Sequence, residues 1–82
     1  MVMEMKLIRW TYSGRGRIRA YFDVFPFSTV VLRRIRNFYF VEYVLWEKAD
    51  PIVHSNDLEV MEKLINDELK VLDEYLTRKT KR

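Results

Sequence analysis

Apolar and polar positions alternate through the first part of the chain and change to three- and four-residue spacing towards its end, a pattern that predicts strands followed by a helix. Met5 to Tyr12 and Arg17 to Phe25 are rich in β-branched and aromatic residues. They flank Ser13-Gly14-Arg15-Gly16, whose two glycines take positive φ readily, and so predict a β-hairpin. Pro26 is expected to close the second strand because it supplies no amide donor. Pairing Tyr12 with Arg17 sets Trp10 against Arg19, Ile8 against Tyr21 and Lys6 against Asp23 on one face. Met5, Leu7, Arg9, Thr11, Ile18, Ala20, Phe22 and Val24 take the other, which makes the better core. A bulge or a one-residue slip would exchange the side chains that a strand turns inward.

Downstream of Pro26 two readings compete. Ser28-Thr29 can cap a short helix with Val31, Leu32, Ile35, Phe38 and Tyr39 on its apolar side, whereas Thr29-Val30-Val31-Leu32 has strong strand propensity with a turn at Arg36-Asn37. The strand is the preferred reading for 29–37. Phe38 to Trp46 predicts a further strand, with Phe38, Phe40, Glu42, Val44 and Trp46 on one face and Tyr39, Val41, Tyr43 and Leu45 on the other. Apolar groups on both faces suit a central strand or an interface.

Asp50-Pro51 marks a boundary before a helix expected from about Asp57 to Arg78. Asn56 and Glu59 form its expected capping box. Leu58, Met61, Ile65, Leu69, Leu72 and Leu76 make a narrow apolar stripe that Val60, Leu64, Val71 and Tyr75 broaden. Glu68 projects into this apolar side, where it is either exposed or paired with an arginine. The expected class is therefore α+β: a small antiparallel sheet of three or four strands packed against a long C-terminal helix. Residues 1–82 are read as a single small domain, with 77–82 a basic end free to fray.

Hydrophobic content of 49% and aromatic content of 15% argue against disorder. Without cysteine, disulfides and thiolate metal sites are excluded. The absence of glutamine and cysteine beside 33% charged residues is compatible with a hot environment. The start lacks the apolar core of a signal peptide and no apolar run reaches membrane-spanning length, so a cytoplasmic protein with no membrane partner is expected.

Charge changes the picture more than composition does. The formal net charge of +3 hides an asymmetry: between Lys6 and Arg36 there are eight basic residues and one acid, Asp23, whereas between Glu42 and Glu74 there are ten acids and three lysines. Such a distribution points to a polyanion or to a complementary protein surface. Enzymatic chemistry has little to draw on. His54, the sole histidine, has no nucleophile or ligand set at a recognisable spacing and suits a surface or capping place. Ser13-Gly14-Arg15-Gly16 lacks the length and lysine of a phosphate-binding loop, and Asp73-Glu74 point to different sides of a helix. No cofactor or metal is expected.

The hairpin is the better functional candidate. Arg15, Arg17 and Arg19 suit phosphate contacts, and Lys6 with Arg33, Arg34 and Arg36 extends the set. Trp10, Tyr12 and Tyr21 alternate onto the same expected face, placed to stack on bases or to hold arginine stems. The expectation is a noncatalytic protein that binds DNA or RNA and self-associates as a homodimer. The alternative is a homodimeric structural or regulatory protein-interaction module, in which Trp46 and the helix edge matter more than the arginines.

Overall fold

A computed structural model describes residues 4–80; Lys81 and Arg82 of the expected basic end lie outside the described residues. Four antiparallel strands follow one another in sequence order: β1 (Leu7–Gly14), β2 (Arg17–Phe22), β3 (Phe25–Ile35) and β4 (Phe38–Leu45). Two helices complete the fold, α1 (Ser55–Glu68) and α2 (Leu72–Thr80). The class is α+β, as the periodicity predicts. One face of the sheet supplies Ile18, Ala20, Phe22, Phe25, Val30, Leu32 and Tyr39 to a core closed by Met61 and Ile65 of α1.

The stretch 29–37 is strand up to Ile35, because Val30, Val31 and Leu32 find partners on both sides: Ala20, Arg19 and Ile18 of β2, and Val44, Tyr43 and Val41 of β4. A strand paired twice holds its backbone groups and buries its β-branched side chains on both faces, which a short helix here would not do. Pro26, however, does not close β2. That strand ends at Phe22, Asp23 and Val24 form the turn, and Phe25 returns opposite Phe22. Pro26 lies inside β3, where the ladder to β2 is interrupted between the Phe22–Phe25 and Ala20–Val30 pairs and a missing donor costs least.

The register of the first hairpin departs from the expected one. It holds at its open end, where Asp23 N–H donates to the Lys6 carbonyl at 3.0 Å and Leu7 pairs with Phe22. Irregularities at Ile8 and Ser13 then advance β1, so that Trp10 faces Ala20, Tyr12 faces Ile18 and Gly14, not Tyr12, faces Arg17. The cause is the turn. Arg15 and Gly16 both have positive φ, 54° and 71°, and close a two-residue loop where four residues were expected. Each bulge takes up one surplus residue of β1. Trp10 consequently packs against the core, and Arg9 and Thr11 turn to the opposite face.

The expected single helix is two. Val71 N–H donates to the Asn66 carbonyl at 2.8 Å and Lys70 N–H to the Asp67 carbonyl at 3.1 Å, the pair of bonds that ends a helix when the intervening residue is left-handed. That residue is Lys70, with φ 63°. Capping also differs: His54 N–H donates to Asp57 Oδ2 at 2.9 Å, so the box is His54/Asp57 and not Asn56/Glu59. The helix therefore starts two residues earlier than expected. Glu68 is exposed, beside Leu7, Ile8, Arg9 and Trp10.

Strand β4 is apolar on both faces although it lies at the edge of the sheet. Asn66 and Glu62 of α1 reach its main chain: Tyr39 N–H donates to Asn66 Oδ1 at 2.8 Å and Val41 N–H to Glu62 Oε2 at 2.9 Å. Side chains of the helix thus do for this edge what a fifth strand would do. On the far side of β4 from Tyr39, Tyr75 of α2 meets Phe38 and Phe40, with ring centroids 6.3 and 5.7 Å away. A bulge at Glu42 then resets the alternation, putting Val44 on the core side and Tyr43 outside. Beyond β4, Asp50 is buried and accepts bonds from Phe27 N–H at 3.1 Å and the Ser28 hydroxyl at 2.5 Å, tying the loop before α1 to β3. Among the described residues, no helix is long and apolar enough to cross a membrane.

Candidate functional site

Once the register is fixed, so is the population of the sheet face turned away from α1. Three rows of side chains cross it. Arg9 of β1 pairs with Tyr21 of β2, and Thr29 of β3 pairs with Leu45 of β4. Thr11, Arg19, Val31 and Tyr43 form the next row, and Gly14, Arg17, Arg33 and Phe40 the third. Val31 is only 2% exposed although α1 packs on the opposite face. Its row neighbours are Arg19 and Tyr43, whose long side chains shield it while keeping their polar ends in water.

Geometry on this face is partly preset. The Arg9 guanidinium carbon sits 4.2 Å from the centroid of the Tyr21 ring, a cation–π contact between cross-strand neighbours. Arg17 is engaged differently: its Nε donates to Glu42 Oε1 at 2.6 Å and its terminal nitrogen to Glu42 Oε2 at 3.1 Å. These two bonds hold the Glu42 carboxyl below its ordinary pKa against the opposing cost of partial burial, with the Arg17 and Arg33 charges adding to the effect. They hold the Arg17 guanidinium above its ordinary value for the same reason. Glu42 is brought there by the β4 bulge. Arg19 and Arg33 are exposed.

Other expected site residues divide by their place in the sheet. Arg15, Arg34 and Arg36 cluster at the end formed by the β1–β2 and β3–β4 turns, all three exposed. There, Arg34 N–H donates to the Gly16 carbonyl at 2.7 Å and Arg34 Nε to the Arg36 carbonyl at 2.8 Å. Arg15 and Arg36 both occupy left-handed backbone, at φ 54° and 61°. Lys6 is exposed at the opposite end, where its backbone N–H donates to Asp23 Oδ1 at 2.9 Å. Trp10 and Tyr12 do not join the arginines. They lie on the helical side of β1 with their rings in edge contact at 5.1 Å, so the expected grouping of Trp10, Tyr12 and Tyr21 on one face is corrected by the bulges.

Arg9, Tyr43 and Phe40 were missed as members of this face. For Arg9 a signal exists in Arg9-Trp10-Thr11, where polar residues flank an apolar one and local alternation alone turns Trp10 inward. Tyr43 carries no such signal, because its side depends on the bulge at Glu42.

Elsewhere, an open depression of about 400 Å³ between the β3–β4 turn and α2 is bordered by Arg36, Asn37, Asp73, Glu74 and Arg78, where charges of both signs meet. Asn37 Nδ2 donates to Glu74 Oε2 across it at 3.0 Å. Among the described residues no group of three or more His, Cys, Asp or Glu side chains is placed to hold a metal ion. His54 is exposed and heads α1. No curated protein and no solved structure matches the chain. A family model does, over residues 6–80, and the chain belongs to the family described as uncharacterised protein YuzH.

Proposed function

We propose that this protein binds nucleic acid without catalysing a reaction, through the sheet face that carries Arg9, Arg17, Arg19 and Arg33. The observation that carries the reading is the register itself, which turns these four arginines to the side away from α1, where Glu42 pairs with Arg17. Arginines spread over three adjacent strands match the phosphate spacing of a polyanion better than that of a single carboxylate ligand. Arg15, Arg34 and Arg36 extend the positive end at the turns.

A second reading, self-association as a homodimer, is favoured by a different region. Phe27, Leu45, Trp46 and Ile52 are exposed at the opposite end of β3 and β4, and a cluster of large apolar side chains there suits an interface between copies. The arginine face suits that role less well, because a two-fold contact through it would set like charges against each other.

The deciding experiment is a titration with labelled oligonucleotides at several salt concentrations, paired with a mass measurement of the free protein. Affinity should fall as salt rises, and replacing Arg19 and Arg33 by alanine should reduce the slope of log affinity against log salt by about 1.4 to 1.8. Salt-independent or absent binding, with a dimer by mass, would transfer the function to the second reading.

A further inference from the structure

We infer that the face selects single-stranded over double-stranded nucleic acid, with unpaired bases stacking on Tyr21 and Tyr43; this rests on the nucleic-acid reading above and specifies its ligand. Two features of the sheet lead there, one of shape and one of chemistry.

The shape argument concerns breadth. A protein reading a duplex with strands inserts a narrow two-stranded ribbon into a major groove about 12 Å wide. Here the arginines stand on β1, β2 and β3 and the aromatic residues on β2 and β4, so the bearing surface is all four strands wide. Four strands at about 4.8 Å spacing give about 14 Å between outer axes before any side chain is added. Such a surface rests on a nucleic acid and does not enter its groove.

The chemical argument concerns what that surface offers. Tyr43 is 49% exposed in the row of Arg19, and Tyr21 stands one row along, already layered against the Arg9 guanidinium. A base can add to the guanidinium–ring stack as a further layer, since bases stack on both arginine planes and aromatic rings. Two strand spacings and one two-residue step separate Tyr21 from Tyr43, about 12 Å in all. That is roughly three to four nucleotides at a stacked rise of 3.4 Å. Arg19 stands at the corner of the triangle it makes with the two tyrosines, on the strand of Tyr21 and in the row of Tyr43, within reach of a backbone linking the stacked bases. In a duplex the same ring faces are buried against neighbouring base pairs, and the tyrosines would have nothing to stack on.

The test uses the full chain and three proteins: wild type, Tyr21→Leu with Tyr43→Leu, and Tyr21→Phe with Tyr43→Phe. Fluorescence anisotropy follows a labelled twelve-nucleotide single strand and the duplex of the same sequence at three salt concentrations. The wild type should prefer the single strand by about tenfold or more. The leucine pair should lose single-strand affinity by on the order of 25-fold, taking about fivefold per base, with the salt slope unchanged. The phenylalanine pair should bind as wild type does. Equal wild-type affinity for the two oligonucleotides, or leucine variants that bind as well as wild type, would overturn the single-strand inference and leave salt-dependent nucleic-acid binding standing. Binding to neither would overturn both. Because strand preference is read on the wild type, the result does not depend on whether the leucine variants fold.

Discussion

Asn66 holds the main chain of Tyr39 by both ends of its side-chain amide: its Oδ1 accepts the Tyr39 N–H at 2.8 Å and its Nδ2 donates to the Tyr39 carbonyl at 2.9 Å. The same Nδ2 donates to the Glu62 carbonyl one helical turn back at 2.7 Å. Asn66 and Tyr39 are both buried, so neither backbone group of Tyr39 has water as a ready substitute. Asn66→Ala should therefore cost about 2–4 kcal/mol, the penalty of two buried polar groups losing their partner. Asn66→Asp keeps the acceptor and sets a carboxylate against the Tyr39 carbonyl, and should be at least as harmful. Urea denaturation should show a lower midpoint with a similar slope; midpoints equal to wild type would mean that the β4 edge does not depend on α1.

Tyr75 ties α2 to the rest. It is fully buried, and its hydroxyl donates to Glu62 Oε1 at 2.6 Å while the other oxygen of that carboxylate accepts from β4. Burial, then the bond to Glu62 and the nearby carboxylate charges, raises the Tyr75 pKa well above its ordinary value of 10. The unfolded chain thus releases this proton first as pH rises. Stability from the buried phenol is complete below about pH 10 and falls above it, with a slope of up to about 1.4 kcal/mol per pH unit. Tyr75→Phe keeps the ring against Phe38 and Phe40, should cost about 1–3 kcal/mol at neutral pH, and should flatten the alkaline decline. Urea melts at pH 8, 10 and 11 measure both effects. An unchanged alkaline slope in the variant would reject the assignment to Tyr75.

The strands, their antiparallel order and the apolar stripe of α1 are legible in the sequence because each is a repeating pattern, and repetition survives an error of one residue. Register is different. The placement of Trp10, Arg9, Tyr43 and Val44 depends on bulges at Ile8 and Glu42, neither of which is marked by a glycine or proline. An arginine at the first position of the tight turn hides it further, since Asn or Gly is the usual sign. The helix break is hidden for a similar reason: Leu69, Leu72 and Leu76 continue the stripe across it, and the left-handed position holds Lys70 where glycine is common. The candidate face was legible in its residue types on β2 and misassigned on β1, where two bulges decide which side chains turn outward.

Glu42 limits the arginine face. Its carboxylate takes up one bidentate edge of Arg17, Nε with a terminal nitrogen, and it is the acid that the β4 bulge carries onto that face. Glu42→Gln keeps the shape and removes the charge. On the proposed function, the variant should bind a single-stranded oligonucleotide more tightly, with a salt slope steeper by about 0.7 as Arg17 becomes available to a phosphate. The contrast should persist at pH 5, because Arg17 keeps the Glu42 carboxyl ionised below its ordinary range. Identical salt slopes for the two proteins would show that Arg17 makes no phosphate contact.

Among the described residues, three other than glycine take positive φ: Arg15, Arg36 and Lys70. At each, a side chain occupies backbone that Gly or Asn adopts at lower cost, so substitution should stabilise the fold by about 0.5–1 kcal/mol. Arg15 and Arg36 stand at the arginine-rich end of the sheet, whereas Lys70 joins the two helices, away from it. If the strain at the turns is retained for the charge it displays, the three sites must separate in function. Arg15→Asn and Arg36→Gly should raise the unfolding midpoint and weaken oligonucleotide binding, each lowering the salt slope by about 0.7. Lys70→Gly should raise the midpoint by a similar amount and leave binding unchanged. Equal affinities across all three variants would remove the turn arginines from the binding surface, and a fall in affinity for Lys70→Gly would show that the helices contribute to it.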